Sequence, residues 1–159
     1  MRDTRSIIGL LGALVVALAA LFVAGPAQAA DASGTSRSIT APAAPAGASA
    51  KIAAANAPTT SPAVSTTHVA PGGTAPCASG NLCAVVWDPT TSDYKVFYFY
   101  TCNRYSLSYW NGGGTYADHQ TGGVTSYFYG QSGNVLATVT PDPATYSFDW
   151  TPVWSIRNC

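Results

Sequence analysis

Leu82 to Tyr100 reads LCAVVWDPTTSDYKVFYFY. Two runs of apolar, β-branched and aromatic residues flank a cluster of Asp, Pro, Thr and Ser. Leu82–Trp87 and Tyr94–Tyr100 have the composition and length of strands, and Asp88-Pro89-Thr90-Thr91-Ser92-Asp93 supplies the turn between them. Val96-Phe97-Tyr98-Phe99-Tyr100 has no polar face, so it predicts a central strand covered on both sides, between two sheets.

The same punctuation continues to the C-terminus. Further strands are expected at about Ser106–Trp110, Val124–Tyr129, Val135–Thr140, Tyr146–Trp150 and Val153–Arg157. Gly130-Gln131-Ser132-Gly133-Asn134 reads as a hairpin turn. Asn111-Gly112-Gly113-Gly114 reads as a loop with access to positive φ. No long helical periodicity interrupts this pattern. The expectation is an all-β domain over residues 76–159, a compact sandwich of two Greek-key halves.

All four cysteines, Cys77, Cys83, Cys102 and Cys159, lie in this part of the chain. An even count in a small exported domain reads as disulfides, and the spacing lacks the CxxC pairs of a zinc site. Four cysteines allow three pairings. Cys77–Cys83 with Cys102–Cys159 is favoured, because neighbouring strands share the first two and leave the others to each other. A domain of about 85 residues has a marginal core, so such staples matter. In the chain-entropy model the short bridge contributes roughly 2–2.5 kcal/mol and the long one about 4 kcal/mol.

Upstream, the chain changes character. Met1 to Arg5 is short and basic, Ile7 to Ala24 is uncharged and apolar, and Ala27-Gln28-Ala29 places small residues where a signal peptidase reads them. Residues 1–29 are therefore expected to be a cleaved secretory signal, which makes the mature protein secreted and extracellular, with no membrane segment left. Residues 30–75 are mostly Ala, Pro, Ser, Thr and Gly, with no aromatic residue. A segment with so little to bury does not offset its ordering entropy, so it is expected to be a disordered linker or a trimmed pro-segment.

Seven basic and seven acidic residues give a formal net charge of +0, and there is no glutamate. That balance argues against nucleic acid, whose phosphates need a basic face, and against an electrostatic membrane anchor. The expected state is a soluble monomer without metal or other cofactor. The domain as drawn holds one histidine, His119, no nucleophile-elbow pattern and no free thiol, so it is not read as an enzyme.

Cys77-Ala-Ser-Gly-Asn-Leu-Cys83 fits a CxxGxLC opening. It resembles the start of the secreted actinobacterial metalloproteinase-inhibitor family, small two-disulfide domains with a βγ-crystallin-like fold. The blocks His119-Gln-Thr-Gly-Gly123, Phe128-Tyr-Gly130 and Trp150-Thr-Pro-Val-Trp-Ser-Ile-Arg-Asn-Cys159 are similar to secreted relatives of that family. The resemblance covers about residues 75–159. It implies a secreted inhibitor of an extracellular protease, acting through a loop that follows the strand resembling Val124–Gly130. The matching stretch, Ala137–Ala144, lacks the cysteine that closes this loop in the family. Its prolines would stiffen it instead. The expected contact residues are Thr138, Val139, Thr140, Pro141, Asp142 and Pro143, with Val139 as the apolar anchor and Asp142 near the protease metal. Calcium, common in crystallin-like domains, is a poor fit to Ala117-Asp118-His119-Gln120-Thr121-Gly122, which offers one carboxylate.

The alternative is a non-catalytic module for cell-wall or environmental glycans. Its contacts would be Tyr109, Trp110, Tyr116 and Tyr127, while Trp87, Phe97, Phe99 and Trp154 are assigned to the core. The two readings differ in what they need. A sugar site needs exposed aromatics together on one face; an inhibitor needs a protruding, rigid loop with apolar side chains.

Overall fold

The computed structural model describes residues 37–48 and 55–159. The expected signal segment, 1–29, lies outside the described residues, as do 30–36 and 49–54 of the expected linker. Among the described residues no helix is long and apolar enough to cross a membrane.

The domain is all-β, as expected. The expected pair is a hairpin of β5 (Leu82–Asp88) and β6 (Asp93–Phe99), running in register from Leu82 opposite Phe99 to Asp88 opposite Asp93. They are joined by β3 (Ser65–Val69), β8 (Gly113–Asp118) and β11 (Tyr146–Asp149) in one antiparallel sheet of order β11-β8-β5-β6-β3. A second antiparallel sheet has the order β10-β9-β12-β7-β2, from β2 (Thr59–Ser61), β7 (Arg104–Ser108), β9 (Ser126–Tyr129), β10 (Val135–Val139) and β12 (Ser155–Arg157). Strands β1 (Arg37–Thr40) and β4 (Thr74–Cys77) pair as a separate ribbon.

The two sheets enclose one core. Leu82, Ala84, Phe97 and Phe99 of the first sheet meet Tyr105, Leu107, Phe128 and Ile156 of the second, with Trp110 and Trp150 among them. Strand β7 shows how the pattern directs this: Tyr105 and Leu107 are buried while Arg104, Ser106 and Ser108 are exposed. The other face of β5 and β6 is also covered, but by the ribbon rather than by a sheet. Ile39, Ala41 and Ala75 pack there on Val85, Tyr94, Val96 and Ala117.

That ribbon corrects the expected linker. The folded unit includes the described residues from Arg37 onward, and four strands lie before residue 78. The segment builds no core of its own, as its composition requires; it covers one already made. Its small side chains allow close approach, and side chains from the later strands bond its backbone. The Tyr94 hydroxyl donates to the Ala43 carbonyl at 2.9 Å, the Thr115 hydroxyl to Thr40 at 2.8 Å, and the Lys95 ammonium to Pro58 at 3.1 Å. Strands β2 and β3 are exposed, Ser/Thr-rich sheet edges, where hydrophobic content is a poor guide to order.

Both bridges form as favoured, Cys77–Cys83 and Cys102–Cys159. Strand β8 falls where no strand is expected, and it starts in Gly113-Gly114 of the expected loop. Gly114 is a close-approach position: a Cβ there would overlap the Val85 carbonyl oxygen and the Trp150 indole nitrogen. The indole N–H of fully buried Trp150 donates to that same carbonyl at 3.0 Å, beside Gly114.

Candidate functional site

Strand β7 ends at Ser108, and the next residue breaks the alternation. Tyr109 has a φ of 64°, in the left-handed region that bulky residues avoid. The kink turns two successive aromatics opposite ways. Trp110 goes inward, 3% exposed, with its indole N–H donating to the Thr59 carbonyl at 3.0 Å and its ring 4.5 Å from Phe97. Tyr109 goes outward and is 54% exposed.

Trp154 stands beside it, 50% exposed. Its backbone is held on both sides, donating to Tyr129 O at 2.8 Å and accepting from Leu107 N–H at 2.9 Å. Tyr109 and Trp154 line one cleft of about 320 Å³, with the buried Trp110 and Val153 beneath and Asn111 and Thr151 as polar neighbours. The Thr151 hydroxyl accepts from Gly112 N–H at 2.9 Å, which ties the two sides of the cleft together. The site thus presents two half-exposed rings lining one cleft at the end of the second sheet.

The expected glycan contacts are not brought together. Tyr109 lies in this cleft, Trp110 lies under it in the core, and Tyr116 is half-buried, stacked on Tyr146 at 5.3 Å and against Phe128. Tyr127 is on the outer face of the second sheet, next to Tyr129. Trp154, assigned to the core, is instead a cleft residue. Period-2 alternation puts it on the face of Ile156, but the strand begins at Ser155 and the opposing layer no longer covers it.

The expected inhibitory loop has a different character from the one required. Val139 is 5% exposed and packs in the core between the sheets, so it cannot serve as an anchor for a protease pocket. Thr138 and Thr140 are exposed. Pro141, Asp142 and Pro143 fold back over a cleft of about 460 Å³ shared with Asp118, His119 and Arg37. Asp142 is fully engaged: its carboxylate accepts from Ala144 N–H at 2.7 Å and from the Tyr146 hydroxyl at 2.6 Å, while its N–H donates to Asp118 O at 3.1 Å.

Asp118 and His119 carry structure here. Asp118 is 2% exposed, and burial pushes its carboxyl above the usual range despite a bond from Gln120 N–H at 3.0 Å. His119 bonds the Cys77 carbonyl through Nδ1 at 2.9 Å, clasping the short disulfide loop. Among the described residues no group of three His, Cys, Asp or Glu side chains is placed to hold a metal.

Because β3 belongs to the fold, the domain has a second histidine. His68 Nε2 lies 3.1 Å from Asp88 Oδ2, and the Thr90 hydroxyl donates to Oδ1 at 2.5 Å. Burial pushes the Asp88 carboxyl up, but the bonds from Thr90 and His68 outweigh it and hold the group below the usual range. Comparison of the chain with protein-family models, curated proteins and solved structures returns no match.

Proposed function

We propose that the chain is an exported, non-catalytic binding module for an extracellular glycan, with the Tyr109–Trp154 cleft as its sugar site. The observation that carries this reading is the pair of half-exposed rings facing one cleft, one of them held outward by a left-handed backbone. Such a backbone costs about 1–3 kcal/mol, and strain of this kind concentrates at binding sites. Leaving two large rings in water also forgoes burial worth roughly 1.5–3 kcal/mol for a large apolar side chain. Export rests on the apolar leader with its small-residue exit, and the two disulfides agree with an oxidising compartment.

The test is co-sedimentation of the purified domain with insoluble cellulose, chitin and peptidoglycan, beside Tyr109→Ala and Trp154→Ala. Retention of the wild type on at least one polymer is expected, with each variant weakened about tenfold, or ~1.4 kcal/mol. Retention of both variants equal to wild type, or no retention on any polymer, refutes the reading.

Metalloproteinase inhibition is the second reading. It keeps the CxxGxLC resemblance and the crystallin-like arrangement this implies. The observation favouring it is the stiffness of Pro141-Asp142-Pro143, pinned by three hydrogen bonds through Asp142. Titration against thermolysin-like enzymes decides it: inhibition abolished by Asp142→Ala supports this loop, and no inhibition by the wild type removes it.

A further inference from the structure

The outer face of the second sheet carries two arginines that no acid among the described residues neutralises. Register places Arg157 of β12 directly opposite Arg104 of β7 on one side and Tyr127 of β9 on the other. Like charges directly opposed across a sheet disfavour the folded state. Among the described residues the one contact between a basic and an acidic side chain within ion-pair distance is His68–Asp88, on the first sheet, so no described carboxylate pairs with either arginine. The charges are segregated more widely than that. The acids found in strands, Asp88, Asp93, Asp118 and Asp149, all belong to the first sheet, and the second sheet's five strands contain none.

The arginine pair is also organised. The Arg104 guanidinium lies 4.2 Å over the Tyr129 ring, and its Nε donates to the Ser155 hydroxyl at 3.1 Å. That bond fixes the plane of the fork, and among the described residues neither terminal nitrogen donates to a protein acceptor. Arg157 is exposed beside it, with the half-exposed Tyr127 next in the row and the Ser106 hydroxyl opposite Ser155.

We propose that this face binds an acidic sugar, a uronic acid whose carboxylate is held between Arg104 and Arg157 while its ring rests on Tyr127. The surface is separate from the aromatic cleft and does not depend on it. A planar carboxylate matches the guanidinium fork bidentately, and an adjacent aromatic takes the apolar side of the sugar ring. Two cations on a protein of zero net charge are too few for a nucleic-acid backbone, which needs a stripe of basic residues.

Affinity electrophoresis through gels containing polygalacturonate tests this, with the fully methyl-esterified polymer as the uncharged control. The panel is wild type, the double variant Arg104→Gln/Arg157→Gln, Arg37→Gln as an exposed arginine elsewhere, and Trp154→Ala. Thermal melting of each variant establishes that it is folded. Retardation by polygalacturonate is expected for wild type, Arg37→Gln and Trp154→Ala, with at least tenfold weaker binding in the double variant and none to the methyl ester. Four results would overturn the proposal. They are no retardation of the wild type, equal retardation of the double variant or on the ester, loss in Trp154→Ala, and equal retardation by single-stranded DNA at the same charge concentration.

Discussion

Replacing Ile39 by alanine separates a folded N-terminal segment from a disordered arm. Ile39 is fully buried, against Ala41, Ala75, Val85, Tyr94, Val96 and Ala117. The change deletes three carbons. At about 0.8 kcal/mol each, the lost transfer energy is roughly 2.4 kcal/mol. A cavity term adds to it, because three of the neighbours are alanines too short to collapse into the space. The expected cost is about 3–4 kcal/mol, within the range of about 2–5 for such truncations. Guanidinium denaturation under non-reducing conditions reads this as a lower midpoint at unchanged slope. Ser38→Ala, one residue away on the exposed side of the same strand, should stay within about 0.5 kcal/mol of wild type. If Ile39→Ala also stays within about 0.5 kcal/mol, the ribbon does not cover the sheet and the reasoning fails.

Three further outcomes follow from the same structure. Gly114→Ala should cost roughly 2–6 kcal/mol, from overpacking and from loss of the buried Trp150-to-Val85 bond; a small loss in the same denaturation assay contradicts the close approach. The folded state holds the Asp118 proton more tightly than the unfolded state, so this group's contribution to stability falls as pH rises from the unfolded value near 3.8 through the raised folded value. Asp118→Asn should remove that decline, and melting profiles of wild type and variant that run parallel across the window would contradict it. Removing the 57-residue Cys102–Cys159 closure by paired serine substitution should cost about 4 kcal/mol in the chain-entropy model, far more than an exposed serine pair elsewhere.

The β5–β6 hairpin was legible because its residues are apolar on both faces and its turn residues are unambiguous. The β9–β10 hairpin was legible from Gly130 to Asn134 for the same reason. What failed were segments whose order comes from a partner. Residues of β2 and β3 carry one apolar side chain between them, Val69, and become strands through edge hydrogen bonds to β7 and β6. Strand β8 was hidden by its glycine-rich start, where Gly114 makes room for Trp150. At the site, alternation along Val135–Val139 already puts Val139 on the face of Ala137, so its burial was readable from the strand pattern. The exchange of Trp110 and Trp154 was not. It depends on the left-handed turn at Tyr109 and on where the opposing sheet stops, and neither leaves a mark in local composition.

The central claim is that the Tyr109–Trp154 cleft receives the sugar, and the four tryptophans report on it directly. The indoles of Trp110 and Trp150 are bonded inside the protein, Trp87 is half-buried on the first sheet, and Trp154 alone is exposed. The measurement is a two-dimensional nitrogen–proton NMR titration of the indole N–H resonances with soluble oligosaccharides of the polymer that retains the domain. A saturable shift of the Trp154 indole, with the other three indoles in place, is the predicted result. A saturable shift confined to the Trp87 indole or to the backbone amides of residues 142–144, with the Trp154 indole unmoved, would contradict it.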